Sequence, residues 1–131
     1  MKLYNYYRSS AAFRVRIALE MKGLKYEYIA IHLAKGEQLN NEYGDILPDQ
    51  IVPMLEVDGQ RLTQSMAIIE YLDETHPATP LLPADAVSRA QARALAQSVA
   101  CEIHPLNNLR VLKYLVKVLG VEEEVKNVWV R

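Results

Sequence analysis

The amino-acid sequence predicts an α/β fold with a mixed four-stranded sheet, followed by a second segment that is entirely helical. Short strand-like and helix-like runs alternate from residue 2 to residue 74, which is typical of a sheet with helices packed on it. Three prolines fall within residues 77–83 and mark a linker. Beyond the linker, residues 86–103 are rich in alanine and show no strand pattern. We therefore predict domains at 1–77 and 86–131, joined by a linker at 78–85.

The composition of the 131-residue chain limits the classes of function. Half of the residues are hydrophobic, which is enough to build a core. Fifteen basic and sixteen acidic residues give a net charge of -1, so we expect no nucleic-acid partner. Cys101 is the single cysteine, which excludes an intrachain disulfide and fits a cytoplasmic location. No run of about 18 apolar residues is present and the N-terminus has no signal-peptide pattern, so we expect no membrane association.

The first helix is predicted at residues 11–22. Phe13, Ile17 and Met21 recur at a spacing of four, which predicts a buried stripe along this helix. Gly23 stands where a helix commonly ends, because glycine readily adopts the left-handed backbone conformation.

The remaining elements of the first domain follow from short alternating runs and turn residues. The segment 34–50 is charged and irregular, with one short helix expected around 38–43. Asp58-Gly59 is a strong hairpin signal. A closing helix is predicted at 66–74, beginning near Ser65. The predicted strands are 2–6, 26–33, 54–57 and 61–63.

The second half reads as a series of helices. Residues 86–103 are predicted to be helical. Pro105, which lacks a backbone N–H, should kink or split this helix. Another helix is predicted at 108–119, and three glutamates at 122–124 suit the positive N-terminus of a further one. That last helix reaches residue 131 without a stop signal, so we expect an incomplete all-α domain or one completed by a partner chain.

Two serines flanked by arginines stand where the first helix begins. Ser9 or Ser10 can cap the helix, or can donate a hydrogen bond to an anionic ligand atom near the positive helix end. No histidine or lysine is close in sequence to act as a base, so a serine nucleophile is disfavoured. Arg8 and Arg14 suit a carboxylate-bearing ligand, while Arg14 is equally compatible with a helix surface. Taken alone, the cap is the commoner role, and both interpretations stay open at this point.

Two further dipeptides carry the same ambiguity. Val52-Pro53 reads as a turn before a strand, or as a cis peptide that leaves the Val52 backbone free to pair with an extended peptide ligand. Gln64-Ser65 reads as a helix cap, or as a carboxylate site made by the Ser65 hydroxyl and the N–H groups of the helix end.

Together these motifs resemble the N-terminal domain of glutathione transferases, which has a thioredoxin-like fold. The likeness is specific to the zeta class, which includes maleylacetoacetate isomerase and the maleylpyruvate isomerases. The family usually has cysteine where Ala11 stands here, and its chains continue through more helices. The runs that carry the resemblance are YRSSAAFRVRIAL at 7–19, KGLKY at 22–26, QSMAIIEYL at 64–72 and IHPLNNL at 103–109.

The resemblance implies glutathione as cofactor and assigns a role to each matching residue. Ser9 is expected to hydrogen-bond the glutathione sulfur, with Ser10 as the fallback and Tyr6 or Tyr7 as rivals. Such a bond and the helix dipole could lower the thiol pKa from its usual value of about 8.5. The other expected contacts are Gln38, Val52, Pro53, Gln64 and Ser65, with His104, Asn108 and Arg110 on the second domain.

The implied activity is the cis–trans isomerisation of maleylacetoacetate or a related dicarboxylic keto acid. Arg8 and Arg14 are the candidates for the substrate carboxylates. A homodimer is expected, and no metal site, because the lone histidine His104 lacks ligand spacing and His32 and His76 do not complete one. Two alternatives stay open: a broader transferase acting on small halogenated acids, and a glutathione-binding module without turnover.

Overall fold

The computed structural model describes residues 1–40, 43, 46 and 50–130 and divides the chain into two compact units, Met1–Pro83 and Ala84–Arg131. Unit 1 contains the sheet. Two 3-10 turns, Leu33–Lys35 and Glu37–Leu39, follow its second strand. The strands and α-helices of unit 1 are β1 (Lys2–Asn5), α1 (Ser10–Met21), β2 (Glu27–Ala30), β3 (Met54–Val57), β4 (Gln60–Thr63) and α2 (Ser65–Thr75).

The four strands form the predicted mixed sheet, and their order is β2-β1-β3-β4. β1 pairs with β2 in parallel and with β3 antiparallel, and β3 pairs antiparallel with β4. Asp58 and Gly59 join β3 to β4 with φ values of 48° and 76°. Positive φ at both central residues is the signature of a tight type I′ hairpin, which confirms the Asp58-Gly59 prediction.

Hydrophobic side chains cover both faces of the sheet, because neighbouring residues of a strand point to opposite faces. Leu3 and Leu55 pack on one face against α1 and α2, whose core residues include Val15, Leu19 and Ile68. The opposite face is packed by a second cluster. Its buried members are Tyr4, Tyr6, Ile31, Val52 and Met54.

The predicted buried stripe of α1 was wrong. Phe13, Ile17 and Met21 are 53%, 43% and 61% exposed. Smaller side chains, spaced mainly by three, face the core instead and let α1 lie close to the sheet and to α2. The prediction from large side chains spaced by four therefore selected the exposed face of the helix. The buried residues of α1 are Ala12, Val15, Ala18 and Leu19.

An ion pair ties the end of α1 to the chain that leaves α2. The side chain of Lys22 is 1% exposed, and its Nζ donates to Asp73 Oδ1 at 2.7 Å. The same ammonium donates to the carbonyls of His76 at 3.0 Å and Thr79 at 2.7 Å. Asp73 Oδ1 also accepts from the Leu81 N–H at 2.8 Å. Burial raises the pKa of Asp73, but the hydrogen bonds from Lys22 and Leu81 outweigh it and leave that pKa lowered.

Unit 2 is helical, as predicted. The helix after Gln97 continues as a π-helical stretch, Ser98–Ile103, and then a 3-10 turn, His104–Asn107, so the expected interruption at Pro105 is confirmed. No described residue of this unit is fully buried. No described helix of the chain is long and apolar enough to cross a bilayer. The α-helices of unit 2 are α3 (Ala86–Gln97), α4 (Leu109–Lys117) and α5 (Glu123–Trp129).

Two predictions fall partly or wholly outside the described residues. The short helix expected around 38–43 overlaps the 3-10 turn Glu37–Leu39, and residues 41 and 42 lie outside the described part. The expectation about the missing stop signal concerns residue 131, which also lies outside it.

Candidate functional site

The pairing register brings the predicted site segments of unit 1 to one end of the sheet. Tyr4 pairs with Met54, and Met54 pairs with Thr63. The chain that leaves β1 toward Ser9, the chain that enters β3 and the chain that leaves β4 therefore lie at the same edge. Because β2 runs parallel to β1, the residues that follow β2 emerge at this edge as well. These segments carry Ser9, His32, Gln38, Val52-Pro53 and Gln64-Ser65.

Ser9 is the N-cap of α1. Its φ and ψ are -78° and 114°, outside the helix, and its Oγ accepts from the Ala12 N–H at 3.2 Å. A serine hydroxyl has two acceptor positions and one proton, so an oxygen that accepts from Ala12 can still donate to a ligand. The cap and the ligand donor, treated as alternatives on sequence grounds, are chemically compatible. Ser10 is the first residue of α1 and is exposed.

Tyr6 and Tyr7, the alternatives to Ser9 as hydrogen-bond donor to the ligand sulfur, differ in exposure. Tyr6 is 8% exposed, and burial together with a hydrogen bond to Tyr7 raises its pKa. Tyr7 is 62% exposed and packs edge-on against Tyr6, with ring centroids 4.8 Å apart. A phenol with a raised pKa stays protonated at neutral pH, but its ring here belongs to the core beneath the sheet. Ser9, at the helix end itself, remains the better-placed donor.

His32 also lies at this edge of the sheet, and no role was predicted for it from the sequence. It follows β2 directly, and its ring lies 5.1 Å from that of Tyr6. The Glu37 carboxylate accepts from the backbone N–H of His32 at 2.6 Å and so fixes the loop. Among the described residues, Nδ1 of His32 and Oε1 of Gln38 are buried without a hydrogen-bond partner. The position of His32 after a parallel strand was the signal that could have identified it.

Val52 and Pro53 are buried just before β3, and the peptide bond between them is cis. The cis form is the one that the ligand-binding interpretation of this dipeptide required. Val52 packs in the same cluster as Tyr6, which fixes this backbone beside the end of β1.

Gln64 and Ser65 start α2. Gln64 is exposed and has φ 67° and ψ 113°, a conformation that costs a non-glycine residue roughly 1–3 kcal/mol and is most common at functional sites. Ser65 is 7% exposed. The Arg14 guanidinium donates from Nη2 to Ser65 Oγ at 3.1 Å, which joins the first turns of α1 and α2. Arg8, by contrast, is exposed ahead of α1.

The other three predicted contacts lie in unit 2. Asn108 caps α4: its Oδ1 accepts from the N–H groups of Arg110 at 3.0 Å and Val111 at 3.1 Å. Its Nδ2 donates to the Pro105 carbonyl at 2.9 Å. His104 is half-buried and Arg110 is exposed. The helix-capping role of Asn108 is thus visible, and the ligand roles of His104, Asn108 and Arg110 stay predictions.

In the part of the chain that the structure describes, no group of three or more His, Cys, Asp or Glu side chains could hold a metal ion. Cys101 is exposed and not in a disulfide. The chemistry that the sheet edge offers is therefore hydrogen bonding and positive charge. It consists of the Ser9 hydroxyl at the start of α1, the backbone of the Val52-Pro53 turn and the hydroxyl of Ser65, which Arg14 binds.

Comparison with known proteins decides the family. Residues 1–74 match the model of the glutathione S-transferase N-terminal domain, which is more than half of the chain. The chain belongs to the glutathione S-transferase family. Within that family its resemblance is to the zeta class, as predicted. It is 51% identical over 129 residues to a maleylpyruvate isomerase of Ralstonia sp., covering 98% of this chain and 61% of that protein.

Solved structures of the family superpose closely on this chain. A holo maleylpyruvate isomerase, described as a bacterial zeta-class glutathione S-transferase, has a TM-score of 0.96 at 51% identity and covers 99% of this chain and 61% of its own. A maleylacetoacetate isomerase of Methylobacterium extorquens AM1, solved with malonate and glutathione bound, has a TM-score of 0.95 at 45% identity, covering 100% and 62%. The chain thus spans less than two thirds of the relatives that it matches.

The residues at the sheet edge fit a glutathione molecule. The Ser9 hydroxyl can donate to a sulfur at the end of α1, and Ser65 with Arg14 can meet a carboxylate. Gln38 Oε1, a buried acceptor without a partner among the described residues, suits an N–H group of a peptide ligand.

Proposed function

We propose that this chain provides the glutathione-binding part of a glutathione-dependent cis–trans isomerase acting on maleylacetoacetate or maleylpyruvate. The proposal depends on the observation that Ser9, Val52 and Ser65 lie at the same edge of the sheet. The family resemblance assigns all three of these residues to one ligand, glutathione. The names of the relatives, and the bound malonate and glutathione in one of them, support the substrate class.

The residues of the chain would each do one task. Ser9 donates to the glutathione sulfur and, with the N-terminus of α1, stabilises its thiolate. The Val52 backbone pairs with the cysteinyl unit, and Gln64 and Ser65 hold the γ-glutamyl end. When bound, glutathione would supply a thiolate that adds to the cis double bond, permits rotation about the resulting single bond, and leaves again.

Arg8 is the residue of unit 1 that we assign to a substrate carboxylate. It is exposed one residue before the Ser9 cap, and a guanidinium offers two parallel donors to a carboxylate. We assign Gln38 to the peptide backbone of glutathione. We assign His104, Asn108 and Arg110 to the glutathione or the substrate. A homodimer and a cytoplasmic location follow from the family resemblance and complete the proposal.

Two measurements test the function. The chain should be retained on immobilised glutathione, and the retained protein should isomerise maleylacetoacetate in an absorbance assay. Retention without turnover would favour the alternative of a glutathione-binding module, since the relatives contain further chain. Turnover of halogenated acids without isomerisation would favour the broader transferase. Loss of retention would refute a glutathione site of any kind.

A further inference from the structure

Arg14 connects the two helices that border the candidate site. It lies in the first turns of α1, and its guanidinium donates to the hydroxyl of Ser65, the first residue of α2, at 3.1 Å. The two residues are 51 positions apart in sequence. Ser65 is 7% exposed, so the bond is sheltered from water and its geometry is held by the packing around it.

The hydrogen bond orients the serine hydroxyl. An oxygen that accepts from a guanidinium directs its own proton toward a different acceptor. The guanidinium also stays charged at every accessible pH. A carboxylate that reaches Ser65 would therefore meet a preoriented O–H donor and a fixed positive charge behind it.

A second arginine of the same helix behaves differently. Arg16 donates to Asn5 Oδ1 at 3.2 Å and to the Tyr7 carbonyl at 3.4 Å, and it stacks over the Phe13 ring with 5.3 Å between the guanidinium carbon and the ring centroid. These contacts hold α1 to the end of β1. Arg16 is thus a matched control, because it is the same kind of side chain on the same helix and donates to Asn5 and Tyr7.

We propose that Arg14 is a positioning residue for the γ-glutamyl carboxylate of glutathione, acting through Ser65, and that it does not contact the dicarboxylic substrate. The inference rests on the proposed function and replaces the sequence-based expectation for Arg14. On sequence grounds Arg14 was a candidate for the substrate carboxylates. The Ser65 bond places its charge at the cofactor end and leaves Arg8 as the substrate arginine of unit 1.

The test compares glutathione with 4-aminobutyryl-Cys-Gly, which differs only in lacking the α-carboxylate. Affinities are measured calorimetrically for the parent chain, Arg14→Gln, Arg14→Lys and Arg16→Gln. Arg14→Gln should weaken the binding of glutathione about tenfold or more and that of the analogue less than about twofold, because only glutathione carries the γ-glutamyl α-carboxylate. Arg14→Lys should restore part of the loss, and Arg16→Gln should leave the ratio of the two affinities unchanged.

Kinetics and a second variant separate this role from a structural one. At saturating glutathione the kcat of Arg14→Gln should equal that of the parent while its KM for glutathione rises. Ser65→Ala should reduce discrimination between the two ligands, and adding Arg14→Gln to it should cost little more. Equal weakening of both ligands by Arg14→Gln, or a fall in kcat alone, would overturn the inference. A parent chain that binds neither ligand would refute the proposed function itself.

Discussion

Ser9 illustrates how one hydroxyl can serve the fold and the site together. Its oxygen accepts from the Ala12 N–H at 3.2 Å, which satisfies one of the backbone donors left unpaired at the start of α1. Its proton remains for a ligand. The capping hydrogen bond therefore holds the Ser9 hydroxyl at the positive end of the helix, where a thiolate is most stabilised.

Substitutions at Ser9 should separate these two roles. Ser9→Ala should lower the free energy of unfolding by about 1 kcal/mol, because an N-cap side chain is lost. Ser9→Asp should keep that stability, since aspartate caps helices equally well, yet it has no proton to donate and repels a thiolate. Chemical denaturation and glutathione affinity of both variants provide the check. Equal glutathione binding by Ser9→Asp and the parent would contradict the donor role.

At the scale of elements, α1 shows what sequence patterns can and cannot settle. The start, length and Gly23 end of this helix were predicted within one residue, because caps and glycine act locally. Its buried face was not predicted, because whether Phe13 or Val15 is buried depends on how closely the helix lies to the sheet and to α2. That distance is set by tertiary packing, on which a single helix pattern carries no information.

Paired alanine substitutions test the corrected face of α1. Leu19→Ala should cost about 3 kcal/mol of stability, because it opens a cavity in the core of unit 1. Met21→Ala should change stability by less than about 0.5 kcal/mol, since its side chain is 61% exposed. Urea unfolding of the two variants gives both values. A larger loss of stability for Met21→Ala than for Leu19→Ala would instead support burial of the predicted face with Phe13, Ile17 and Met21.

The Lys22–Asp73 pair was not predicted either, since no local pattern joins residues 51 positions apart. Asp73→Asn should destabilise unit 1 by about 3 kcal/mol, because it leaves the Lys22 ammonium buried against a neutral group. Glu74→Gln, the same charge loss on the exposed neighbouring residue, should cost less than about 0.5 kcal/mol.

The contribution of Asp73 should also depend on pH. Its pKa is lowered in the folded chain, so its stabilisation is present above the unfolded value of about 3.9 and is lost as pH falls through the folded pKa. The difference in unfolding free energy between the parent and Asp73→Asn should therefore be constant near neutrality and shrink below about pH 4. A difference that grew on acidification would contradict this ion pair.

At the scale of the molecule, the candidate site of unit 1 was predicted from spacing and resemblance, and the strand register supplies the reason for it. Ser9, Val52 and Gln64 are far apart in sequence but follow or precede strands whose ends meet at Tyr4, Met54 and Thr63. The Arg14–Ser65 bond was invisible in the sequence, because it depends on the relative rotation of two helices.

The two units should differ in local stability. Unit 1 contains two clusters of buried side chains, whereas no described residue of unit 2 is buried. Amide hydrogens of Leu3 and Leu55 should exchange slowest, and those of α4 and α5 faster, because local opening is easier where few apolar contacts are lost. Hydrogen exchange followed by mass spectrometry reads both units in one experiment. Protection of α4 equal to that of β1 would contradict this ranking.

The proton balance of glutathione binding, measured by calorimetry in two buffers of different ionisation enthalpy, tests directly whether Ser9 stabilises a thiolate. If Ser9 lowers the thiol pKa by a unit or two from about 8.5, binding near pH 7.5 should release roughly 0.4 to 0.8 of a proton. S-methylglutathione, which has no thiol proton, should bind without release, and Ser9→Ala should release far less than the parent. Binding of glutathione with no proton release, or equal release by Ser9→Ala, would contradict a thiolate site at Ser9.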